Sequence, residues 1–138
     1  MLDRAAVETR LRAQLDRFEA NFGRMPDYVD GHQHTHQFPR IRDALLAELE
    51  RRYGTRRPFV RNTDSDSRER KPRVLMRLGG RAMRERLQRE RWPTNADFVG
   101  AYAFVAGVDF AALARNWITQ LKDGAMWMCH PATAAVSG

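Results

Sequence analysis

The chain has 138 residues, 43% hydrophobic and 30% charged, which is enough apolar material for one core and one compact domain. Its 24 Lys+Arg against 17 Asp+Glu leave a net charge of +7, and the pI is about 10.6, a balance that suits an anionic partner such as nucleic acid. The arginines, however, are interleaved with carboxylates along helix-like stretches such as Glu48–Arg52 and Arg84–Arg91, the pattern of solvated faces. With no helix-turn-helix, zinc-finger or RNA-stacking motif, no nucleic-acid partner is expected. The single cysteine, Cys129, excludes an intramolecular disulfide. No apolar run approaches the roughly 20 residues of a membrane span, and Met1–Arg4 opens a charged helix in place of a signal peptide. A cytoplasmic location is the expectation.

In chain order, Val7, Leu11, Leu15, Phe18 and Phe22 form one face of a helix that Gly23 and Pro26 stop. Tyr28 to His34 reads as a short strand closed by Phe38-Pro39. Ile41, Leu45, Leu49 and Tyr53 mark a second helix ending at Gly54. Pro58 to Thr63 is the next strand, and Asp64 to Pro72 is polar and aperiodic, the composition of a mobile loop. Helical character runs from Val74 to Glu90, interrupted at Gly79-Gly80. Asp97 to Gly100 forms a short element, and Phe110, Leu113, Trp117 and Leu121 predict a helix that ends near Gly124. Ala125 to Pro131 is nearly continuous in apolar residues, like a strand buried on both faces, with Cys129 as packing and a frayed tail from Ala132 to Gly138. Strands alternating with helices predict an α/β fold.

On a strand, Asp30, His32, His34 and His36 project to one side, with neighbours about 6.5–7 Å apart. One acid and three histidines on one face suit a divalent ion and a proton transfer. The opposite face, Val29, Gly31, Gln33 and Thr35, is a poor apolar face. His130, at the carboxyl end of its strand, stands where α/β folds bind ligands. Arg61, near the end of the preceding strand segment, suits a polar or anionic group.

These pieces together resemble the YdjC/ChbG family of carbohydrate deacetylases, including its hopanoid-biosynthesis-associated branch. The resemblance is carried by Phe22-Gly23-Arg24-Met25-Pro26, by Tyr28 to His36 with Phe38-Pro39, by Arg61, and by Met128-Cys129-His130-Pro131. It implies a partial TIM-barrel-like (βα) fold and removal of an N-acetyl group from an amino sugar, oligosaccharide or glycolipid. It also implies a divalent metal, magnesium or zinc, with His32 as its histidine ligand. Asp30, His34 and His36 match neighbours of that ligand. The expected assignment is His32 and His34 on the metal, His130 and Asp30 in catalysis with His130 as general acid, and Arg61 and His36 on the substrate. Family members open on a strand ending Asp-Asp-Phe-Gly, and this sequence has no Asp-Asp pair. The expectation is therefore one YdjC-like domain over residues 1–138, a fragment without that strand and without the last helices. Such a fragment would expose strand edges and core, inviting association, such as a homo-oligomer, or instability. The rivals are a basic binding module and an inert partner subunit.

Overall fold

A computed structural model describes residues 3–65, 79–102 and 107–130. Helix α1 spans Arg4–Phe22. The Asp3 carboxylate accepts from the Ala5 N–H at its start, and Gly23, with φ +65°, ends it by donating its N–H to the Glu19 carbonyl. Helix α2, Pro39–Tyr53, starts on a proline, whose missing N–H costs nothing in a first turn. It buries Ala44, Leu45, Leu46 and Leu49.

The two helices pack along Leu11, Leu15, Leu45 and Leu49, and a belt of charge closes the seam. Arg52 reaches Asp16 at 2.5 Å, Glu19 at 3.1 Å and Glu48 at 2.7 Å, while Tyr53 Oη donates to Glu19 at 2.6 Å. Glu48 is 4% exposed yet ionised. The Arg51 hydrogen bond, with help from Arg52 and Arg12, outweighs burial and holds its carboxyl down at about 2.

Strands β1 (Tyr28–Val29) and β2 (Phe59–Val60) pair in parallel, with α2 as their crossover. Beyond helix α3 (Arg81–Arg89), strand β3 (Phe98–Val99) pairs in parallel with β4 (Met126–Trp127), joined by helix α4 (Phe110–Gln120). Each parallel pair is thus bridged by a helix, the basic unit of α/β architecture. The two pairs are stitched together. The Val60 N–H donates to the Pro93 carbonyl, and the buried amides of Asn62 and Asn95 each bond the other residue's main chain at 2.8–3.0 Å. The two sheets also touch through side chains. Tyr28 on β1 stacks on Phe59 of β2, ring centroids 5.7 Å apart, and its hydroxyl touches Met126 Sδ on β4 at 3.4 Å. A side-chain contact thus also links the first and last strands.

Several expectations change. The strand beginning at Tyr28 stops at Val29, and His32–Gln37 is a tight 3-10 segment in which Gln33 and His34 take left-handed φ values of 51° and 64°. Side chains from Asp30 to His36 therefore do not alternate about a sheet. The cause is the one the poor opposite face hinted at: with no apolar alternate positions, nothing rewards an extended register. Asp64 and Ser65 open the supposed mobile loop but are buried. Strand β4 is half-buried, and Cys129 is exposed. The helix after Gly79-Gly80 begins at Arg81, so the glycines do mark its boundary. Residues 66–78 and 131–138, covering most of that loop, the helix segment from Val74 and the frayed tail, lie outside the described residues. No helix among the described residues is long and apolar enough to cross a membrane.

Leu49 is fully buried at the α1–α2–β2 junction. Leu49→Ala is expected to cost about 2–5 kcal/mol in urea unfolding, whereas Phe22→Ala, at a side chain 62% exposed, leaves the midpoint nearly unchanged.

Candidate active site

Val60 turns into the core and Arg61, the next residue, turns to Asp30 at the end of β1. Arg61 is only 3% exposed. A buried guanidinium needs partners on most of its N–H groups. Nε and Nη2 both donate to Asp30 Oδ1, at 2.7 and 2.5 Å, and Nη2 also reaches His34 Nδ1 at 2.8 Å. The ring of Phe98 lies 5.3 Å beneath the guanidinium carbon, a cation–π contact. Nη1 has the Met128 thioether at 3.7 Å, a weak acceptor that leaves N–H capacity for a ligand oxygen. Three strands and the 3-10 segment thus meet on one side chain.

The left-handed pair Gln33-His34 makes this possible. Two successive positive-φ residues other than glycine cost roughly 1–2 kcal/mol each, and they reverse the chain so that His34 turns back on Arg61. The same reversal drives His36 inward. Its Nδ1 accepts from the Gly31 N–H at 3.1 Å, so Nε2 carries the proton and donates to the Arg61 carbonyl at 2.8 Å. Gly31 is required by this approach: a Cβ there would stand 2.7 Å from the His36 Cβ. Thr35 Oγ1 donates to the His32 carbonyl and ties the turn.

His34 is pushed down to about 4, first by burial and then by the Arg61 charge, with His130 adding to the same effect. His36 is lowered too, chiefly by burial. Asp30, His34, His36, Arg61 and His130 therefore share one locale, with His130 exposed at the end of β4. His32 goes elsewhere. Its ring has no partner among the described residues and lines a cleft of about 610 Å³ between α1 and the free edge of β1, together with Asp30, Thr35 and His36.

The donor set can be tested for a metal on this geometry. His36 has both ring nitrogens engaged within the chain, Asp30 Oδ1 is held by Arg61, and His34 Nδ1 accepts a hydrogen bond from Arg61 Nη2. That leaves His34 Nε2 protonated and so not a ligand. His32 alone offers a free imidazole, and no group of three metal-ligating side chains occurs among the described residues. Of the expected pair, His32 lines the cleft and His34 Nδ1 is engaged by Arg61.

The sequence pattern also missed the buried amides Asn62 and Asn95, Thr63 with its bond to Gln37, and Asp97, whose carbonyl accepts from Asn95. The run Asn62-Thr63-Asp64 directly after an apolar strand was the available signal, since polar residues at a strand's carboxyl end are placed for a site or its support.

An α/β chain with parallel strands and a polar cluster at their carboxyl ends has the arrangement of ligand-binding or catalytic α/β proteins. Over residues 1–137 the sequence matches the family described as YdjC-like protein, and the chain belongs to that family. A carbohydrate deacetylase from Danio rerio is 48% identical over 48 residues, 35% of this chain and 15% of the relative. One from Mus musculus is 46% identical over 50 residues, 36% of this chain and 16% of the relative. The chain thus matches about one-sixth of the length of these relatives. No solved structure matches it.

Both lowered histidines are neutral in the folded chain at pH 7. Below their ordinary value near 6.5 the unfolded chain takes up protons that the folded site refuses, so stability falls with pH from about 6.5 toward 4. Urea unfolding at pH 7 and pH 5 measures this, and His34→Gln is expected to flatten the difference.

Proposed function

We propose that this chain carries part of the catalytic pocket of a carbohydrate N-deacetylase, a hydrolase that removes the acetyl group from an N-acetylated amino sugar, oligosaccharide or glycolipid. The observation that supports it most is the buried Arg61, which joins Asp30 and His34 at the carboxyl ends of parallel strands in a YdjC-like chain. The naming of two relatives as carbohydrate deacetylases supplies the substrate class.

In this reading the four parallel strands belong to a TIM-barrel-like (βα) fold within one domain over residues 1–138, working in the cytoplasm. Arg61 Nη1–H and His34 Nε2–H are the two donors offered to the acetamide oxygen, where negative charge develops as the amide is attacked. Asp30 stays beside them as the carboxylate that orients Arg61 and receives a proton from attacking water, and His130 donates a proton to the leaving amine. His36 acts on the substrate indirectly, by holding the Arg61 main chain. His32 is the residue assigned to a divalent ion, magnesium or zinc, whose chemistry is to polarise the amide and acidify water. His34 joins it as a ligand only if Arg61 releases Nδ1. Its remaining donors must come from outside the described residues.

Acetate release from N-acetylglucosamine oligomers, with magnesium or zinc added, is the test. Arg61→Ala is expected to lower kcat by about 10²–10³-fold, and His130→Ala by about 10²–10⁴-fold. Full activity in His32→Ala removes that residue from the metal, and a chain that releases no acetate with either ion counts against the deacetylase reading.

A further inference from the structure

The peptide that joins Arg61 to Asn62 is held on both sides by buried side chains. His36 Nε2 donates to its carbonyl at 2.8 Å, and Asn95 Oδ1 accepts from its N–H at 2.9 Å. A trans peptide is flat, with these two groups pointing opposite ways, so partners on both sides fix its rotation. The Arg61 N–H is held as well, by the Val29 carbonyl at 3.2 Å. His36 comes from the turn after β1. Asn95 comes from the other half of the chain, three residues before β3.

Asn95 is 2% exposed, and its amide is fully committed. Nδ2 carries two hydrogens, which go to the Asn62 carbonyl at 3.0 Å and the Asp97 carbonyl at 2.9 Å. The first of these, with the bond at Oδ1, engages both main-chain groups of Asn62 as a neighbouring strand would. The second falls on the peptide that leads into Phe98. The Asp97 carbonyl also accepts the Met126 N–H of β4 at 2.9 Å, and the Phe98 ring lies 5.3 Å from the Arg61 guanidinium carbon. One side-chain amide therefore bonds the peptide next to Arg61 in one sheet and the peptide next to its aromatic neighbour in the other. The long arginine stem has little room to absorb a shift between them. Nε and Nη2 both meet Asp30 Oδ1, and Nη2 also meets His34.

We propose that Asn95 is a positioning residue for Arg61. By setting the Arg61–Asn62 peptide against the entry to Phe98, it aims the guanidinium at Asp30 and His34. Asn95 acts through Arg61 and does not touch the substrate. Its effect on acetate release rests on the deacetylase reading above, whereas its effect on Arg61 does not.

The Arg61 Nε–H gives its own signal in a proton–nitrogen NMR spectrum of the 138-residue chain, identified by its loss in Arg61→Lys. In Asn95→Ala that signal is expected to move toward the position of exposed arginines, and kcat to fall about 10²-fold with KM little changed. Leu15→Ala, a packing loss in the α1–α2 seam, is expected to leave the signal in place. In the Arg61→Ala background, Asn95→Ala is expected to cost no further kcat, because residues that act as one unit do not add. Should Asn95→Ala fail to fold, the unmutated chain decides: its Asn62 N–H and Arg61 Nε–H are expected to be protected from hydrogen exchange to a similar degree. A protected Asn62 N–H beside a freely exchanging Arg61 Nε–H overturns the proposal. So does an unmoved Arg61 signal in folded Asn95→Ala, or a full further loss of kcat in the double variant. An unmutated chain that releases no acetate sinks the deacetylase reading alone, and the Arg61 signal then decides the positioning.

Discussion

Arg61 holds its positive charge at 3% exposure, and much of the surrounding architecture follows from meeting that requirement. An unpaired guanidinium at such depth would cost several kcal/mol. Asp30 from the end of β1 supplies the countercharge, His34 an acceptor, Phe98 of β3 an aromatic face and Met128 beyond β4 a soft contact. One side chain thereby gathers residues from three other strands and the 3-10 segment. Even its main chain is held, by a buried histidine whose tautomer is fixed from both sides.

The same constraint accounts for the local strain. Left-handed Gln33 and His34 are costly in isolation, and they persist because the turn they make completes the Arg61 shell and buries His36. Strain, a buried charge and two neutral histidines coincide at the carboxyl ends of parallel strands, where pre-organisation for a ligand is useful and the cost is covered by packing elsewhere. That packing is the α1–α2–β2 core around Leu46, Leu49 and Val60, sealed by the Arg52–Glu48 belt.

The two sides of Asp30 have different characters. On the Arg61 side the charges are paired, and Arg61 Nη1 and His34 Nε2 keep N–H groups for a ligand. On the His32 side an uncommitted imidazole faces a wide cleft with apolar walls. The first suits recognition of a neutral polar group such as an acetamide. The second leaves the His32 ring without a partner among the described residues.

Helices α1 and α2, their glycine stops and the short parallel strands were legible in the sequence, because apolar spacing and left-handed glycines are local signals that packing here does not override. The importance of Asp30, the histidines and Arg61 was legible as composition, through clustered titratable groups after an apolar strand. Their arrangement was not. Alternation along Asp30 to His36 describes a strand only if the intervening residues pay for a sheet face, and Gly31, Gln33 and Thr35 do not. Whether His34 turned toward a metal or toward a guanidinium was decided by a residue 27 positions away. The sequence by itself determined which groups this protein has for chemistry and the family they belong to. Only the tertiary structure decided which are already engaged with one another, because a buried charge selects its partners by position in space.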